Sequence, residues 1–372
     1  MQSRERVKLA LEHQEPDRVP LDFEARQEVT RGLCALLGLP DEETLLSFFG
    51  IDIRRASLEP GEEFRKQGAF FHPRRKWVIQ IAPEGVFQDE FGIQYRTDEE
   101  DRYFGFVSAP LAQDEALEHY HFPDPGEECR YESIKSVLVK HKDHFFIEAD
   151  ATLTLFEQAW QMSGFEHFMY NMRYNPTWVE KLLDQILAFR MVQCGQYAKL
   201  GVDIICLGDD FGMQDRMMVH PDLWRRFFKP RMKTLIQSYK TIKPDVYTRY
   251  HSDGFIIPII PDLIEIGIDI LNPIQPESMD LKEIKNNFGT HLTLHGTISV
   301  QSLLPFATEE EIQREVTRII EICAPGGGYI LAPTHAIQMD TPLGNVIQTY
   351  DTAKHWRYSQ SHHGESGREK RS

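Results

Sequence analysis

From about residue 145 onward, short apolar runs alternate with longer stretches of helical periodicity. The apolar runs are four or five residues long and rich in Ile, Leu, Val and Tyr, which is typical of buried parallel strands. This alternation predicts an α/β fold in which helices cover a parallel sheet. The runs are found at residues 145–148, 203–207, 246–250, 269–272, 292–295 and 329–332.

The helical stretches between these runs carry their own start and stop signals. The clearest covers 309 to 323, where Thr308 and Glu311 form a capping box and apolar residues recur on one helical face. The three glycines at 326–328 follow this helix and precede its strand, so they are interpreted as a helix C-terminal cap and turn. No G-x-G-x-x-G or P-loop sequence occurs in the chain.

The number of predicted strands favours a closed barrel. Residues 18–23 are predicted to form a further short strand, and with one or two early strands the count approaches eight. A doubly wound sheet more often carries a Gly-rich first turn, which is absent here. The predicted fold is therefore an α/β (β/α)8 TIM barrel.

Residues 55–125 differ from the rest of the chain in their pattern of apolar and polar residues. Alternation such as that of Trp77-Val78-Ile79-Gln80-Ile81 predicts antiparallel hairpins. We interpret them as an N-terminal antiparallel hairpin insertion in a single domain of residues 1–360. The last residues, 361–372, are polar and without periodicity, so a disordered tail is expected.

Charge and composition exclude several classes of protein. The chain has 41 Lys+Arg against 57 Asp+Glu, a formal net charge of −16, which would repel a nucleic acid backbone. No stretch of 18 apolar residues occurs, so no membrane span is expected. The five cysteines lie far apart and never form a C-x-x-C pair, which favours a reducing, cytoplasmic location.

Every predicted strand from residue 145 onward delivers polar or ionisable side chains to its carboxyl end. In a barrel these ends converge on one mouth, where active sites lie. Carboxylates and imidazoles that crowd together there raise the free energy of one another's charged forms. A purely structural protein gains nothing from this arrangement. The pattern therefore predicts an enzyme. The side chains are Glu148, Asp150, Asp209, Asp210, His251, Asp253, Asn272, Gln275, His295, Thr334 and His335.

Each of these residues also has a simpler interpretation. One of the two aspartates at 209 and 210 is as well suited to cap the following turn as to serve catalysis. Asp253 resembles an ordinary turn residue. A lone His251 is more typical of a hydrogen-bonded imidazole than of a metal ligand. The combination is more specific: His251, Asp253 and His335 would supply two nitrogens and one oxygen, a ligand set that a catalytic zinc uses with one position open.

Several short motifs, taken in order, resemble those of the uroporphyrinogen decarboxylase superfamily. The resemblance extends from residue 4 to about residue 350 and implies a (β/α)8 barrel. The motifs are RERV at 4–7, EPDRVP at 15–20, GDDFG at 208–212, HSDG at 251–254, NPIQP at 272–276, GGYILAP at 327–333 and DTP at 340–342.

The superfamily implies two alternative chemistries. Its decarboxylases remove carboxyl groups from a porphyrinogen without a metal and carry an Arg-rich loop after the first strand. Here that stretch reads LDFEARQE at 21–28, where only Arg26 and Gln27 resemble the loop and three acidic residues surround them. The sequence therefore lacks the bidentate donors that a polycarboxylate requires, and it is closer to the methyltransferase branch.

The methyltransferase branch transfers a methyl group to or from a corrinoid on a partner protein with the help of zinc. It binds the metal with a His-x-Cys pair and a Cys after the last strand. In this chain His251 matches the His, Asp253 stands at the first Cys, and His335 lies at or next to the second. Both thiolates are thus replaced by harder ligands, which suit a metal that polarises an ether or amine leaving group.

The resulting prediction is a zinc-assisted methyltransferase or demethylase that passes a methyl group between a small substrate and a corrinoid protein. The alternatives are decarboxylation of a porphyrinogen or smaller carboxylic acid, with Asp22, Arg26 and His335 lining the pocket, and a non-catalytic binding module. Substrate identity and oligomeric state stay open. The predicted metal ligands are His251, Asp253 and His335; the predicted catalytic residues are Asp209, Asp210, Glu148, Asp22 and Gln275; and the predicted substrate-binding residues are Arg26, Asn272, His295 and Gln338.

Overall fold

The computed structural model of the chain describes residues 1–72, 76–82, 85–97 and 104–358. The predicted tail, residues 361–372, lies outside these ranges. The strands, in chain order, are β1 (Ile53–Ser57), β2 (Phe70–His72), β3 (Lys76–Ala82), β4 (Val86–Gln88), β5 (Gln94–Thr97), β6 (Phe104–Ser108), β7 (Phe146–Thr152), β8 (Ile204–Gly208), β9 (Tyr247–His251), β10 (Ile270–Asn272), β11 (Thr293–His295) and β12 (Tyr329–Ile330).

Helices occupy most of the connections between these strands. In chain order they are α1 (Ser3–Leu11), α2 (Gln27–Leu37), α3 (Glu42–Phe49), α4 (Glu62–Lys66), α5 (Glu132–His141), α6 (Phe156–Ser163), α7 (Phe165–Tyr174), α8 (Pro176–Leu200), α9 (Pro221–Phe227), α10 (Lys229–Ile242), α11 (Ile260–Ile266), α12 (Leu281–Phe288), α13 (Glu309–Cys323) and α14 (Leu343–His355). The capping box predicted at Thr308 and Glu311 begins α13 and is confirmed.

A curled parallel sheet of seven strands, in the order β1-β7-β8-β9-β10-β11-β12, forms the centre of the fold. All six strands predicted after residue 145 are present in it, and every neighbouring pair is parallel. The predicted α/β fold with a curled parallel sheet is thus confirmed. Seven strands, not eight, are present in it among the described residues.

The residues predicted as the first strand, 18–23, form an isolated bridge at Leu21 instead of a strand. The segment is hydrogen-bonded to both edges of the parallel sheet. Leu331, just after β12, donates its N–H to Pro20 O at 2.9 Å and accepts from Asp22 N at 2.8 Å. Asp52, just before β1, donates its N–H to Leu21 O at 2.9 Å. The backbone at 20–22 therefore lies between the two edge strands.

The antiparallel sheet predicted within residues 55–125 is present as five strands in the sequential order β2-β3-β4-β5-β6. It begins at Phe70, whereas Ile53–Ser57 belongs to the parallel sheet as β1. Each neighbouring pair is antiparallel, as expected from hairpins. The antiparallel sheet is thus inserted between β1 and β7, two neighbours of the parallel sheet.

The amino-terminal end of the curled sheet is closed by apolar packing. Residues at the start of several parallel strands form a small buried cluster with Val7 and Leu11 of α1. Helix α1 therefore covers this end, and a binding site has to open at the other end. The strand residues of the cluster are Ile53, Phe146, Ile204, Ile270 and Ile330.

The motifs RERV and EPDRVP form an ion-pair network at the same closed end. The carboxylate of Asp52, which is fully buried, accepts from Arg6 Nη1 at 2.7 Å and from Arg18 Nη1 at 2.8 Å. Arg4 bonds both oxygens of Asp203, at 2.7 and 2.6 Å. These residues hold α1 against the sheet, so the structure gives them a role in stability far from the carboxyl ends of the strands.

No helix in the described ranges combines the length and the apolar character that crossing a bilayer requires.

Candidate active site

A cavity of about 510 Å³ opens at the carboxyl ends of the parallel strands. Its volume lies within the range of small-molecule sites. Ser57 at the end of β1, Thr152 at the end of β7 and His251 at the end of β9 contribute to its wall. The ionisable residues that line it are five carboxylates, two arginines and two histidines: Glu24, Glu148, Asp150, Glu157, Asp210, Arg55, Arg249, His251 and His335.

The floor of the cavity is formed by Arg55, Arg249 and Glu148, and the buried Asp22 lies beneath it in the same ion-pair network. Arg55 forms a short contact with Asp22 and donates its Nε to Glu148 at 3.1 Å. Arg249 donates its Nη2 to the same oxygen of Glu148 at 2.8 Å. Of the predicted catalytic residues, Glu148 thus lies in the floor and Asp22 beneath it, and each is paired with a guanidinium.

Three side chains converge at one edge of the cavity: Asp210, His251 and Asp253. One ligand atom from each lies within 4.8 Å of the others. The Nε2 atom of His251 lies 3.7 Å from Asp210 Oδ1 and 3.9 Å from Asp253 Oδ1. Asp253 also donates its backbone N–H to Asp210 Oδ1 at 2.8 Å, which joins the two loops.

The pairing of β8 with β9 brings these loops together. Gly208 lies opposite His251 in the parallel register, so residues 210 and 253 follow neighbouring strand ends. A Cβ atom at 208 would lie 2.8 Å from the Cβ of His251, closer than side chains pack. The glycine of the GDDFG motif is therefore needed for the close approach of the two strands.

A series of hydrogen bonds runs from Asp22 through the interior of the curled sheet to His251. His295 Nε2 lies 2.9 Å from Asp22 Oδ2, and His295 Nδ1 lies 2.8 Å from Asn272 Nδ2. Asn272 Oδ1 lies 2.6 Å from His251 Nδ1. Two residues predicted to bind substrate, Asn272 and His295, are therefore buried behind His251 and hold its ring.

The charge states of Asp22 and His295 determine where the protons lie in this series of hydrogen bonds. Burial disfavours the Asp22 carboxylate, but Arg55 and the bond from His295 outweigh it and hold the pKa of Asp22 well below its usual range. Burial lowers the pKa of His295, so its ring is neutral at neutral pH. Asp22 is then an acceptor, and the single ring proton of His295 lies on Nε2.

The remaining bonds of the series follow from this assignment. His295 Nδ1 has a lone pair and accepts from the amide Nδ2 of Asn272. The amide oxygen of Asn272 accepts from the Nδ1–H of His251. In neutral His251 the lone pair therefore lies on Nε2, which faces Asp210 and Asp253.

With His251 neutral, three acceptor atoms face one another in the cluster of Asp210, His251 and Asp253, and they repel unless a proton or a metal ion lies between them. Burial lowers the pKa of His251, but the two carboxylates outweigh it and raise the pKa above its ordinary value. Burial raises the pKa of Asp253, and Asp210 adds to the effect. The cluster thus favours a bound cation.

The same donor set fits a divalent metal ion. One imidazole nitrogen and two carboxylate oxygens are ligands that zinc accepts, and a hydrogen bond from the second ring nitrogen to an amide oxygen is the usual support for a ligating histidine. Asn272 supplies that support to His251. The ring centroid of His335 lies 6.3 Å from that of His251. His335 lines the cavity, but the compact cluster contains Asp210 in its place.

Two residues predicted as catalytic, Asp209 and Gln275, are bonded to backbone N–H groups in the structure. Asp209 is fully buried, and its carboxylate accepts from the N–H of Leu155 and of Glu157 at the start of α6. Burial nevertheless raises the pKa of Asp209 to about 7. Gln275 accepts from the N–H of Gly254 at 3.0 Å and so fixes the loop after His251.

The two remaining residues predicted to bind substrate contact each other. Arg26 donates its Nε to Gln338 Oε1 at 3.2 Å, and Gln338 donates to Ala336 O at 2.7 Å. A parallel bridge between Ala25 and Ile337 holds the two segments together. Arg26 and Gln338 thus connect the segment after residue 22 to the loop that carries His335.

Sequence reasoning missed the two arginines of the cavity, Arg55 and Arg249. A signal for Arg249 was present, since it stands inside the predicted apolar run 246–250, which forms β9, whereas Arg55 lies in a segment that was not predicted to join the parallel sheet. A charge inside such a run has to be paired or to serve a site. In the structure both are paired with Glu148, as described above.

A curled parallel sheet with a charged cavity at the carboxyl ends of its strands is the arrangement of TIM-barrel-like enzymes. Residues 89–356 match the family model described as "Uroporphyrinogen decarboxylase (URO-D)". The chain belongs to the uroporphyrinogen decarboxylase family, so the resemblance found in its motifs is confirmed.

A solved methyltransferase structure shares this fold. A methyltransferase from Methanosarcina mazei is similar with a TM-score of 0.67 and 18% sequence identity, covering 95% of this chain and 98% of the other. A B12-independent methionine synthase from a Shewanella species has a TM-score of 0.47 and 12% identity, covering 91% of this chain and 95% of the other. No match was found among curated proteins.

Proposed function

We propose that this chain is a metal-assisted methyltransferase or demethylase that passes a methyl group between a small substrate and a corrinoid carried by a partner protein. The observation that carries the proposal is the convergence of Asp210, His251 and Asp253 at the edge of the cavity. Family membership and the fold shared with a methyltransferase support it.

In this proposal Asp210, His251 and Asp253 hold zinc. The metal, when bound, supplies Lewis acidity that weakens the bond between the methyl group and its oxygen or nitrogen. Asn272 orients His251 so that Nε2 points to the two carboxylates, and Gln275 fixes the loop that carries Asp253. These side chains hold the cluster in place before the substrate arrives.

His335 is proposed to move a proton to the departing oxygen or nitrogen. It lines the cavity close to His251 and lies outside the compact cluster. A side chain that can carry a proton at this place faces the substrate and is suited to general acid work. Asp209 is too deeply buried for that task, and Glu148 is already bonded to two arginines. The partner protein would present its corrinoid over the mouth of the cavity.

The charges of the cavity disfavour a porphyrinogen as substrate. Five carboxylates line the cavity against two arginines, and both arginines are paired with acidic side chains. A polycarboxylate needs free bidentate donors, which these arginines do not offer. Of the residues expected for the decarboxylase alternative, His335 lines the cavity, whereas Asp22 is bonded to Arg55 and Arg26 to Gln338.

Metal analysis combined with a methyl-transfer assay tests the proposal. The purified chain is expected to bind about one zinc, and the H251A variant to lose both the metal and methyl transfer to or from free cobalamin while keeping its circular dichroism spectrum. The matched control is H144A, a change far from the cavity. Release of carbon dioxide from uroporphyrinogen, or methyl transfer at full rate in H251A, would overturn the proposal.

A further inference from the structure

A second cavity, of about 140 Å³, adjoins the cavity of the candidate active site. The two share four lining residues, so they meet along one wall: Ser57, Asp150, Thr152 and Leu153. The second cavity extends from this wall toward the antiparallel sheet, where Trp77 of β3 contributes to its lining. A ligand with one end near His251 therefore has room for its other end beyond the wall.

Apolar side chains are the surfaces that this second cavity offers. The rings of Phe91 and Phe189 meet edge to face with centroids 5.3 Å apart, and Leu58, Pro60 and Trp77 add further apolar lining. Aromatic edges and faces arranged in this way contact another ring favourably. The second cavity thus has the lining of a site for an apolar group.

The polar residues of the second cavity are already bonded to the protein. Glu59 pairs with Arg65 at 2.7 Å, and Glu90 pairs with Arg130 at 2.6 Å. Asp89 accepts from two backbone N–H groups of its own turn at 3.0 Å. A ligand that enters this space would not find unpaired carboxylates to neutralise there.

The wall between the two cavities is fixed by Arg190. Leu153 has a φ of +55°, a conformation that a residue with a side chain rarely adopts. Arg190, which is buried, donates to Leu153 O at 2.6 Å and to Thr154 O at 3.2 Å. The wall is therefore held in one shape without a ligand, which favours binding of a ligand of matching shape.

We propose that the second cavity binds the body of the methyl donor, and that this body is an uncharged ring of about six atoms. This inference rests on the proposed function for the position of the methyl group, near His251. The size supports a single ring, because an apolar protein cavity of about 150 Å³ accommodates benzene. The lining itself carries four carboxylates and one arginine, because the arginines that pair with Glu59 and Glu90 lie outside it, and this balance opposes an anionic ring.

Binding of small rings to the metal-free chain, without cobalamin, tests the inference separately from catalysis. Methoxybenzene is expected to bind in calorimetric titration, and benzoate, a ring of similar size with a negative charge, to bind at least about tenfold more weakly. Equal binding of the two rings, or no binding of methoxybenzene, would overturn the inference.

Variants of the lining locate the bound ring. W77A is expected to weaken methoxybenzene binding about tenfold because it removes the largest aromatic surface of the second cavity. The matched control is F71A: Phe71 pairs with Trp77 across β2 and β3 but is 53% exposed and does not line the second cavity. F91A, on a different element, is expected to weaken binding as W77A does. Unchanged affinity in both W77A and F91A would overturn the inference.

The two proposals fail in different ways. If methoxybenzene binds to the second cavity but no methyl transfer to cobalamin occurs with any metal-loaded chain, the proposed function fails and the ring site stands. If methyl transfer occurs with methanol and methoxybenzene at equal kcat/KM, and W77A changes neither, the function stands and the ring site fails.

Discussion

The amide oxygen of Asn272 lies 2.6 Å from Nδ1 of His251. Because the amide nitrogen of Asn272 donates to His295, which in turn donates to the anionic Asp22, this contact leaves the lone pair of neutral His251 on Nε2. Asp22 belongs to the chain segment that links the edges of the parallel sheet. This segment and the candidate metal cluster are therefore connected by one line of buried polar groups.

The first prediction concerns the support that Asn272 gives to His251. The N272L variant keeps the volume of the side chain but removes both hydrogen bonds, so His251 loses its fixed ring proton and orientation. We expect zinc affinity to fall by about 10- to 100-fold. Competition with a fluorescent zinc chelator measures the change. The control is N345L, since Asn345 is also buried and hydrogen-bonded, to Leu304 O and Ala307 O; an equal loss of affinity in N345L would contradict the prediction.

The second prediction separates the two possible ligand sets of the metal. Asp210, not His335, stands within 4.8 Å of the ligand atoms of His251 and Asp253. We therefore expect D210N to lose most of its zinc and H335A to retain it, as measured by elemental analysis after dialysis. D210N is a mild change because the new amide oxygen still accepts from Asp253 N. Retention of zinc in D210N with loss in H335A would favour the set of His251, Asp253 and His335.

The third prediction concerns the floor of the cavity. In D22N the guanidinium of Arg55, which is 29% exposed, loses its buried carboxylate partner, which costs about 3 kcal/mol in the free energy of unfolding at pH 7. The control is E24Q, since Glu24 lies 3.8 Å from the same guanidinium but is 51% exposed. We expect E24Q to change stability by less than about 1 kcal/mol. Urea denaturation of both variants provides the comparison, and similar losses in the two would contradict the prediction.

The pH dependence of the Asp22 contribution has a definite sign. The folded-state pKa of Asp22 lies below its value in the unfolded chain, so its stabilising effect is present above the ordinary pKa of 3.8. The effect is lost as the pH falls from there through the depressed folded-state pKa. The difference in stability between the wild type and D22N should therefore shrink under acid conditions and stay constant from pH 5 upward.

The elements that the sequence predicted correctly are those whose signal is local. Each parallel strand after residue 145 is a short apolar run, and the start of α13 is a capping box, so neither depends on distant parts of the chain. The segment at 18–23 was different, because its bonds go to Leu331 and Asp52. Whether it becomes a strand or a single bridge depends on the register of two distant edges, which no local pattern contains.

The candidate site was predictable as a set of strand ends but not as a set of contacts. The expectation that Asp210, His251 and Asp253 share one mouth followed from the alternation of strands and helices. Which of them approach to within 4 Å depends on side-chain directions in two loops. The hydrogen bonds that link His251 to Asp22 could not be predicted from the sequence for the same reason, since His295 and Asp22 are 273 positions apart.

The last prediction concerns Asp209, whose environment contains two opposing effects. Backbone N–H groups at the start of α6 favour its carboxylate, but burial raises its pKa to about 7. The folded chain then binds a proton between the ordinary pKa of 3.8 and pH 7 that the unfolded chain has released. The contribution of Asp209 to the free energy of unfolding should therefore fall as the pH rises through this range, by about 2 to 3 kcal/mol between pH 5 and pH 8.

The D209N variant has no charge to bury and keeps the acceptor oxygen, so its free energy of unfolding should lack this fall. Urea denaturation of the wild type and D209N at both pH values measures how the stability difference between the two proteins changes with pH. The contributions of the other titrating groups cancel in this comparison. A difference between the two proteins that is the same at pH 5 and pH 8 would mean that the N–H groups outweigh burial and that Asp209 is already ionised at pH 5.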